Sequence, residues 1–129
     1  MEIALINYIN NYPALQNLIG ENRMFPLFAT DITSPALEFT YRELSGAVLK
    51  QSQLSINILW THYDKILEIK NLLREILDFE LADYFMSYHG FFFNSQLSGS
   101  SSPIYRPDIQ LFQVNLNFII KWRKINANS

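Results

Sequence analysis

The N-terminal segment carries apolar residues at three- and four-residue steps, the spacing of a helix that buries one face. The residues of this series are Ile3, Ile6, Ile9, Leu15, Leu18 and Ile19. Pro13 interrupts the series, and because proline fits best at the first position of a helix, we expect a break near Asn11–Tyr12 and a short helix from Pro13. Gly20 is expected to end that helix, since glycine adopts positive φ readily.

Period-two patterns predict strands, because alternate residues of a strand lie on opposite faces of a sheet. Residues 37–42 and 53–60 are expected to pair as an antiparallel hairpin. Residues 112–122 have the strongest alternation, and the apolar face that it predicts consists of Phe112, Val114, Leu116, Phe118, Ile120 and Trp122. The aromatic segment from Ser87 to Ser95 predicts a fourth strand.

A further helix is predicted from Thr61 to Leu77, where Ile66, Ile69, Leu73, Ile76 and Leu77 line one side. Thr61 and Asp64 resemble a capping pair at its start. With the N-terminal segment as the other helix, the order helix, hairpin, helix, strand, strand predicts an α+β fold. We therefore expect a mainly antiparallel four-stranded sheet with two helices packed on one face.

Four segments between or after these elements are predicted to be loops or ends. Residues 21–35 are rich in turn residues, and their apolar stretch Met24–Phe28 is expected to pack inward. The ten residues Glu43–Ser52 exceed the two to five that are usual in hairpins, so this loop is expected to project. Residues 97–103 predict a flexible loop, and residues 125–129 a frayed tail.

The composition predicts one globular domain spanning residues 1–129, because the chain is 49% hydrophobic and 17% charged. A domain of this length buries roughly two thirds of the surface of its unfolded chain. Aromatic residues make up 15%, which indicates either an aromatic-rich core or aromatic side chains that face a partner. No apolar run approaches the roughly 20 residues needed to cross a bilayer, and no secretory signal is evident, so we expect a soluble protein without a membrane partner.

Charge and cysteine content exclude several classes of function. A net charge of -2 does not fit a general nucleic-acid binder, which needs a strongly basic surface. The tightest basic cluster is Lys121, Arg123 and Lys124, which we take as possible DNA-facing residues or as a solvated strand end. The absence of cysteine excludes disulfides and thiolate metal sites.

Residue types that carry catalysis lack the spacing that catalysis needs. His62 and His89 have no partner at metal-ligand spacing, so both are interpreted as structural. Asp78, Glu80 and Asp83 are interpreted as a solvated turn. The four glycines form no phosphate-binding motif, and the serines of residues 98–102 have no nucleophile-elbow pattern. We therefore predict no catalytic residue, no cofactor and no metal, and a protein that is not an enzyme.

The order of these signals resembles the tail terminator and tail completion family of long-tailed bacteriophages. The resemblance rests on the opening helix, on residues 13–20 (PALQNLIG), on Asn22–Pro26 (NRMFP), and on two strands, a helix and a closing strand. It covers nearly the whole chain and is weakest over residues 94–108. The family is recognised by order and length more than by invariant residues.

The resemblance implies a structural protein that caps the head-proximal end of the tail tube, stops its polymerisation and joins it to the head connector. Its implied partners are copies of itself in a ring, usually a hexamer, the tail tube protein and the head completion protein, with DNA at most passing through the ring. The implied location is the virion tail of a phage or prophage, after assembly in the bacterial host cytoplasm.

Two alternatives stay open at the level of the sequence. One is a head completion or adaptor protein of the neck, and the other is a small ligand-binding or enzymatic α+β domain with a histidine beside an acidic residue in a cleft. The residues predicted to contact other subunits or the neck are Leu44, Val48, Leu49 and Tyr105. We expect the Glu43–Ser52 loop to be mobile in a monomer and ordered on assembly.

Overall fold

The computed structural model describes residues 1–45 and 48–125, which form helices and strands in a mixed order. The helices are α1 (Glu2–Asn10), α2 (Pro13–Ile19) and α3 (Tyr63–Leu77). The strands are β1 (Met24–Pro26), β2 (Ala36–Ser45), β3 (Lys50–Trp60), β4 (Met86–Tyr88), β5 (Phe91–Ser100), β6 (Ile104–Arg106) and β7 (Leu111–Lys124).

All seven strands belong to one sheet, in the order β1-β2-β3-β7-β5-β4, with β6 also paired to β7. The sheet is mixed, because β1 pairs with β2 in parallel whereas the other neighbours are antiparallel. It forms a half-barrel with three helices. The predicted four-stranded sheet with two helices is therefore wrong. The predicted helical segments overlap α1, α2 and α3, and three predicted strands lie within β2, β3 and β7, but the fourth, residues 87–95, spans β4, a turn and the start of β5.

The missed strands are short or polar. β1, β4 and β6 have three residues each, too few for an alternation to be visible. β5 continues through Ser98 to Ser100, so most of the predicted flexible loop at residues 97–103 is strand. It forms there because the 14-residue β7 offers backbone groups along its whole length, and backbone pairing does not depend on side-chain type.

The hydrophobic core lies between one face of the sheet and α3. Ile66, Ile69 and Leu73 of α3 are fully buried, as is Phe118 of β7. Phe118 is in register with Leu54 on one side and Leu97 on the other. The predicted packing of the last strand against this helix is confirmed.

The two N-terminal helices are separated where the sequence predicts. α1 ends at Asn10, and α2 begins at Pro13 and is followed by Gly20 with φ of 96°. The predicted capping pair at α3 is wrong, because His62 is the N-cap residue and no side chain bonds there. The Thr61 hydroxyl instead lies 2.9 Å from the His62 ring nitrogen Nδ1.

The segment between β1 and β2 is organised around Arg23, whose side chain is buried. Its guanidinium donates to the carbonyls of Pro35 (3.0 Å), Asp31 (2.6 Å) and Ser34 (2.8 Å) and to the Asp31 carboxylate (3.1 Å). Hydrogen bonds from the Thr33 hydroxyl and amide, and then the Arg23 charge, hold the pKa of Asp31 below its usual value. A single arginine thus fixes residues 31–35 as a compact loop.

The prediction that Met24–Phe28 packs inward is correct for Met24 and wrong for Leu27 and Phe28. Met24 is buried, but Leu27 and Phe28 are 68% and 66% exposed. Pro26 ends β1, an edge strand, where a missing amide hydrogen is tolerated. After it the chain turns sharply, and this turn directs both side chains outward.

Candidate interaction surfaces

The β2–β3 hairpin carries three of the predicted contact residues. Leu44, Val48 and Leu49 are 43%, 93% and 39% exposed. The prediction of a ten-residue projecting loop is nevertheless wrong. β2 and β3 remain paired in this region, with Glu43 opposite Ser52 and Ser45 opposite Gln51. Residues 46–47 of that prediction lie outside the described residues, as do residues 126–129 of the predicted frayed tail. The apolar residues thus sit at the tip of a paired hairpin.

A buried hydrogen-bond network supports the base of this hairpin. The Ser52 hydroxyl oxygen accepts from Tyr41 Oη at 2.7 Å and from Trp122 Nε1 at 2.9 Å. Lys50 lies above the Trp122 ring, 5.3 Å from its centroid. Burial raises the pKa of Tyr41, so its phenol remains a donor at neutral pH. The network ties β2, β3 and β7 together beneath the exposed tip.

Replacing Ser52 by alanine is expected to lower the free energy of unfolding by about 1–3 kcal/mol, the usual cost of unpaired buried polar groups. The change removes the acceptor for both Tyr41 and Trp122. Chemical denaturation measures the loss. Ser98→Ala is the matched control, because its hydroxyl donates to Asn117 at an exposed position. Equal effects of the two changes would contradict the structural role of Ser52.

The three predicted DNA-facing residues do not form one patch. Lys121 and Arg123 alternate onto the sheet face opposite the core, whereas Lys124 falls on the other face. The Arg123 guanidinium lies 4.8 Å from the centroid of the Phe92 ring. Arg123, Phe92 and Leu49 line the same hollow, together with Asp83 and Phe85. The structure therefore joins Arg123 to the hairpin tip and separates it from Lys124.

The sheet face opposite the core is rich in amides and hydroxyls. Asn115 donates to Ser55 Oγ at 3.0 Å and to Asn57 Oδ1 at 2.8 Å, and accepts from Asn117 at 2.7 Å. Arg42 donates to Gln53 across the neighbouring strands. These bonds hold side chains of β2, β3 and β7 in fixed positions, so this face is an ordered polar surface.

Tyr105, the remaining predicted contact residue, lies on the unanticipated strand β6. It is 51% exposed and packs edge to face on Phe112, at 5.1 Å between ring centroids. Tyr63, at the start of α3, packs on the same ring at 5.6 Å. Tyr105 is at the opposite end of the sheet from the β2–β3 tip, because Phe112 is in register with Trp60. The predicted contact residues thus occupy two separate surfaces.

The two histidines lie at the boundaries of elements. His62 is the N-cap of α3, and His89 has φ of 47° in the turn before Gly90, with its ring 4.1 Å from that of Tyr88. His89 and Glu2 both line a hollow beside α1, but no hydrogen bond joins them among the described residues. Within residues 1–45 and 48–125, no three potential ligands come together as a metal site.

The predicted acidic cluster is divided by the fold. The Asp78 carboxylate accepts from the Leu97 amide at 3.0 Å and so links the end of α3 to β5. Glu80 and Asp78 lie at the rim of one pocket, whereas Asp83 lies in the hollow beside Arg123. Asp78 therefore has a structural contact to β5 and also lines a pocket with Glu75 and Glu80.

The pocket at Asp78 has aromatic walls. We call it the tyrosine pocket, and its volume is about 370 Å³. Its lining combines aromatic and apolar side chains with three carboxylates: Tyr8, Tyr12, Ile76, Phe79, Leu81, Tyr84 and Met86, with Glu75, Asp78 and Glu80. Burial, and then the neighbouring phenols of Tyr12 and Tyr84, raise the pKa of Tyr8. The sequence did not predict this pocket, because its walls come from α1, from the segment after α3 and from β4.

The fold has a counterpart among solved structures. It is similar to a chain in the structure described as the virion of a native gene transfer agent (GTA) particle, with a TM-score of 0.69 and 8% sequence identity. The alignment covers 95% of this chain and 93% of that chain. This likeness establishes the fold. No protein-family model and no curated protein matches the sequence.

No helix among the described residues has the length and apolar character required to span a membrane.

Proposed function

We propose that this chain is a structural protein of a phage-type virion, which caps the head-proximal end of the tail tube as a ring and joins it to the head. The observation that carries the proposal is the shared fold with a chain of a gene transfer agent virion over nearly the full length of both chains. The position within the particle is proposed from the resemblance of the sequence to tail terminator proteins.

Two properties of the surface bear on an assembly role. Leu44, Val48 and Leu49 are exposed together at the hairpin tip, with Val48 at 93%, and contiguous exposed apolar side chains of this kind are typical of surfaces that meet a partner. The edge strands β1 and β4 have three residues each and so offer few backbone groups for strand addition. Side-chain contacts would therefore carry most of the ring interface.

In this proposal the ring assembles in the bacterial host cytoplasm and becomes part of the virion tail. Its partners are other copies of the chain, the tail tube protein and the head completion protein. Lys121 and Arg123, on the polar sheet face, are the residues proposed to meet passing DNA, and Lys124 is not grouped with them.

Deletion of the gene from the phage or prophage tests the proposed position. We expect tails that grow beyond their normal length or that fail to join heads, as seen by electron microscopy, with normal tails restored by the gene in trans. Purified protein should bind isolated tail tubes. Tails of normal length together with protein that binds the head connector but not tubes would instead assign the chain to head completion.

Replacing Leu44, Val48 and Leu49 together by serine tests the hairpin tip as a contact surface. Because all three are exposed, we expect a melting temperature close to that of the natural protein. Tails should nevertheless be overlong or unjoined, as measured by complementation of the deletion. Ile3→Ser is the matched control, since Ile3 is 79% exposed on α1. A triple variant that unfolds would show that these residues belong to the protein's own core.

A further inference from the structure

The polar sheet face, on the side of the sheet away from the core, has cationic side chains in a protein whose net charge is -2. Arg42 of β2 and Lys121 and Arg123 of β7 lie on this face, because alternate residues of a strand lie on opposite sides. Among the described strands, Glu38 is the carboxylate on the same face, and it accepts from the Ala29 amide. Charge is therefore unevenly distributed over the surface.

The charges of these three cations are not cancelled by the protein. Within residues 1–45 and 48–125, the salt bridges involve other arginines. Arg42 donates one hydrogen bond to the neutral amide of Gln53, and the Arg123 guanidinium lies 4.8 Å from the centroid of the Phe92 ring. Both contacts orient a guanidinium and leave most of its five N–H donors available to an anion.

Two hollows lie on this face, and each has one of the two arginines in its lining. The first hollow has a volume of about 280 Å³ and is lined by Thr40, Arg42, Gln53, Ser55 and Asn117. The second has a volume of about 410 Å³ and is lined by Leu49, Asp83, Phe85, Phe92 and Arg123. Asp83 forms no salt bridge with Arg123 in the described part of the chain.

The register of the strands sets the distance between the hollows. Arg42 is opposite Gln53, which is opposite Ile119, so Arg42 lies two strand spacings from β7, or about 10 Å. Arg123 is four residues further along β7, or about 13 Å, with Lys121 halfway. The three cations thus form a diagonal line about 16 Å long, which matches four or five phosphates of one DNA strand at about 3.4 Å each.

The side chains around these cations fit a sugar-phosphate backbone better than a protein surface. Protein interfaces have an apolar centre, whereas interfaces with DNA are more polar and much more positively charged. Most side chains that β3 and β7 place on this face are amides and hydroxyls, groups that bind phosphate and sugar oxygens. Asn115 holds Ser55, Asn57 and Asn117 in place by hydrogen bonds, so little ordering is needed on binding.

We infer that the polar sheet face binds the phosphate backbone of duplex DNA, with phosphates at the two arginine hollows and at Lys121 between them. The inference rests on the proposed function in that it extends the DNA contact of Lys121 and Arg123 to a whole surface and adds Arg42 to it. Backbone contacts carry no sequence information, so binding is independent of sequence and sensitive to salt.

Fluorescence anisotropy with a labelled DNA duplex of mixed sequence tests this inference on the purified protein. Protein at up to roughly 100 μM is sufficient, because dissociation constants for non-specific binding are about 1–100 μM. Neutralisation of three phosphates gives a slope of about -2.7 for log affinity against log salt, so affinity should fall about fortyfold between roughly 50 and 200 mM salt. A duplex of unrelated sequence should bind equally well.

A triple variant tests the three cations, namely Arg42→Gln, Lys121→Gln and Arg123→Gln. Its affinity for DNA should fall at least about tenfold, and its salt slope should approach zero, since each lost phosphate contact lowers the slope by about one. The melting temperature should stay close to that of the natural protein, because the three side chains are exposed or half-buried.

The matched control removes the same charge from α3, which packs on the core face of the sheet. It carries Lys65→Gln, Lys70→Gln and Arg74→Gln. Because exposed charges more than about 10 Å apart are largely screened at about 0.1 M salt, its affinity for DNA should stay within about twofold of the natural protein.

Thr40→Glu tests the first hollow by itself. Thr40 is exposed and lines the hollow of Arg42, so a carboxylate there should repel phosphate and weaken DNA binding severalfold. Thr40→Gln is the matched control, since it has nearly the same size without the charge and should bind DNA like the natural protein. This pair decides the question even where the triple variant fails to fold.

The outcomes separate this inference from the proposed function. Absence of DNA binding, or equal losses in the two triple variants, would overturn the inference, and tail capping by the protein would be unaffected. Displacement of the DNA by polyglutamate at equal charge would instead assign the face to acidic proteins. Conversely, salt-dependent DNA binding together with tails of normal length after deletion of the gene would overturn the capping function alone.

Discussion

Replacing Phe118 by alanine is expected to lower the free energy of unfolding by about 3–5 kcal/mol, the usual cost of truncating a large buried aromatic side chain. Phe118 is fully buried in the middle of β7, between Leu54 of β3 and Leu97 of β5, on the face that α3 covers. The cavity would therefore open at the centre of the core. Since domains of this size are stable by roughly 5–15 kcal/mol, the loss is a large part of the total.

Chemical denaturation of the purified variant measures this loss, and Phe92→Ala is the matched control. Phe92 lies on the opposite face of the sheet, half-buried and stacked against Arg123, so its truncation should cost clearly less. An unchanged stability of the Phe118 variant would show that the register of β7 is misplaced. Since β7 pairs with β3, β5 and β6, such a result would contradict the whole sheet order.

Replacing Arg23 by alanine is expected to cost about 3 kcal/mol, because hydrogen bonds to a charged group are worth roughly 1.5–3 kcal/mol each and the freed carbonyls are partly compensated by water. The side chain donates to three backbone carbonyls and to the Asp31 carboxylate. Arg23→Lys should recover little of the loss, since an ammonium group does not reproduce the planar fork of donors. Protease sensitivity within residues 29–35 should rise in both variants.

Arg106→Ala is the control for this prediction. Arg106 also bonds an aspartate, Asp108 at 2.9 Å, and it donates to Gln113 at 3.2 Å. The Arg106 and Asp108 side chains are 39% and 60% exposed, and ion pairs open to solvent contribute about 0–1 kcal/mol. A loss at Arg23 no greater than at Arg106 would contradict the role of Arg23 as the organising residue of the β1–β2 segment. A stable Arg23→Ala protein that fails in capping would indicate instead that this loop serves assembly alone.

The elements whose side chains face a core can be predicted from the sequence alone. A helix or strand that buries one face has apolar residues at the spacing of that element. This spacing reveals α3, through Ile66, Ile69 and Leu73, and β7, through its alternation. The break between α1 and α2 was equally readable, since Pro13 and Gly20 act through their own backbone restrictions.

The exposed residues that contact partners in the proposed function can be predicted from the sequence only in part. Leu44, Val48 and Leu49 stood out as apolar residues in a polar segment, and the structure leaves them exposed. Their setting was not predicted, because the polar residues that flank them form strand through backbone pairing. The alternation of β7 places Lys124 on the opposite face from Lys121 and Arg123, so proximity in sequence alone is not a basis for grouping the three.

The remaining strands, the turn at Leu27 and the tyrosine pocket depend on contacts between segments that are distant in sequence. β1, β4, β6 and the second half of β5 form because neighbouring strands satisfy their backbone groups, which every residue type carries alike. Leu27 takes positive φ against its own preference because the turn is held by hydrogen bonds from the Leu27 amide to the Phe39 carbonyl and from the Ala29 amide to the Glu38 carboxylate. The tyrosine pocket joins segments that are far apart in sequence, and their proximity follows from the order of strands, which no local pattern specifies.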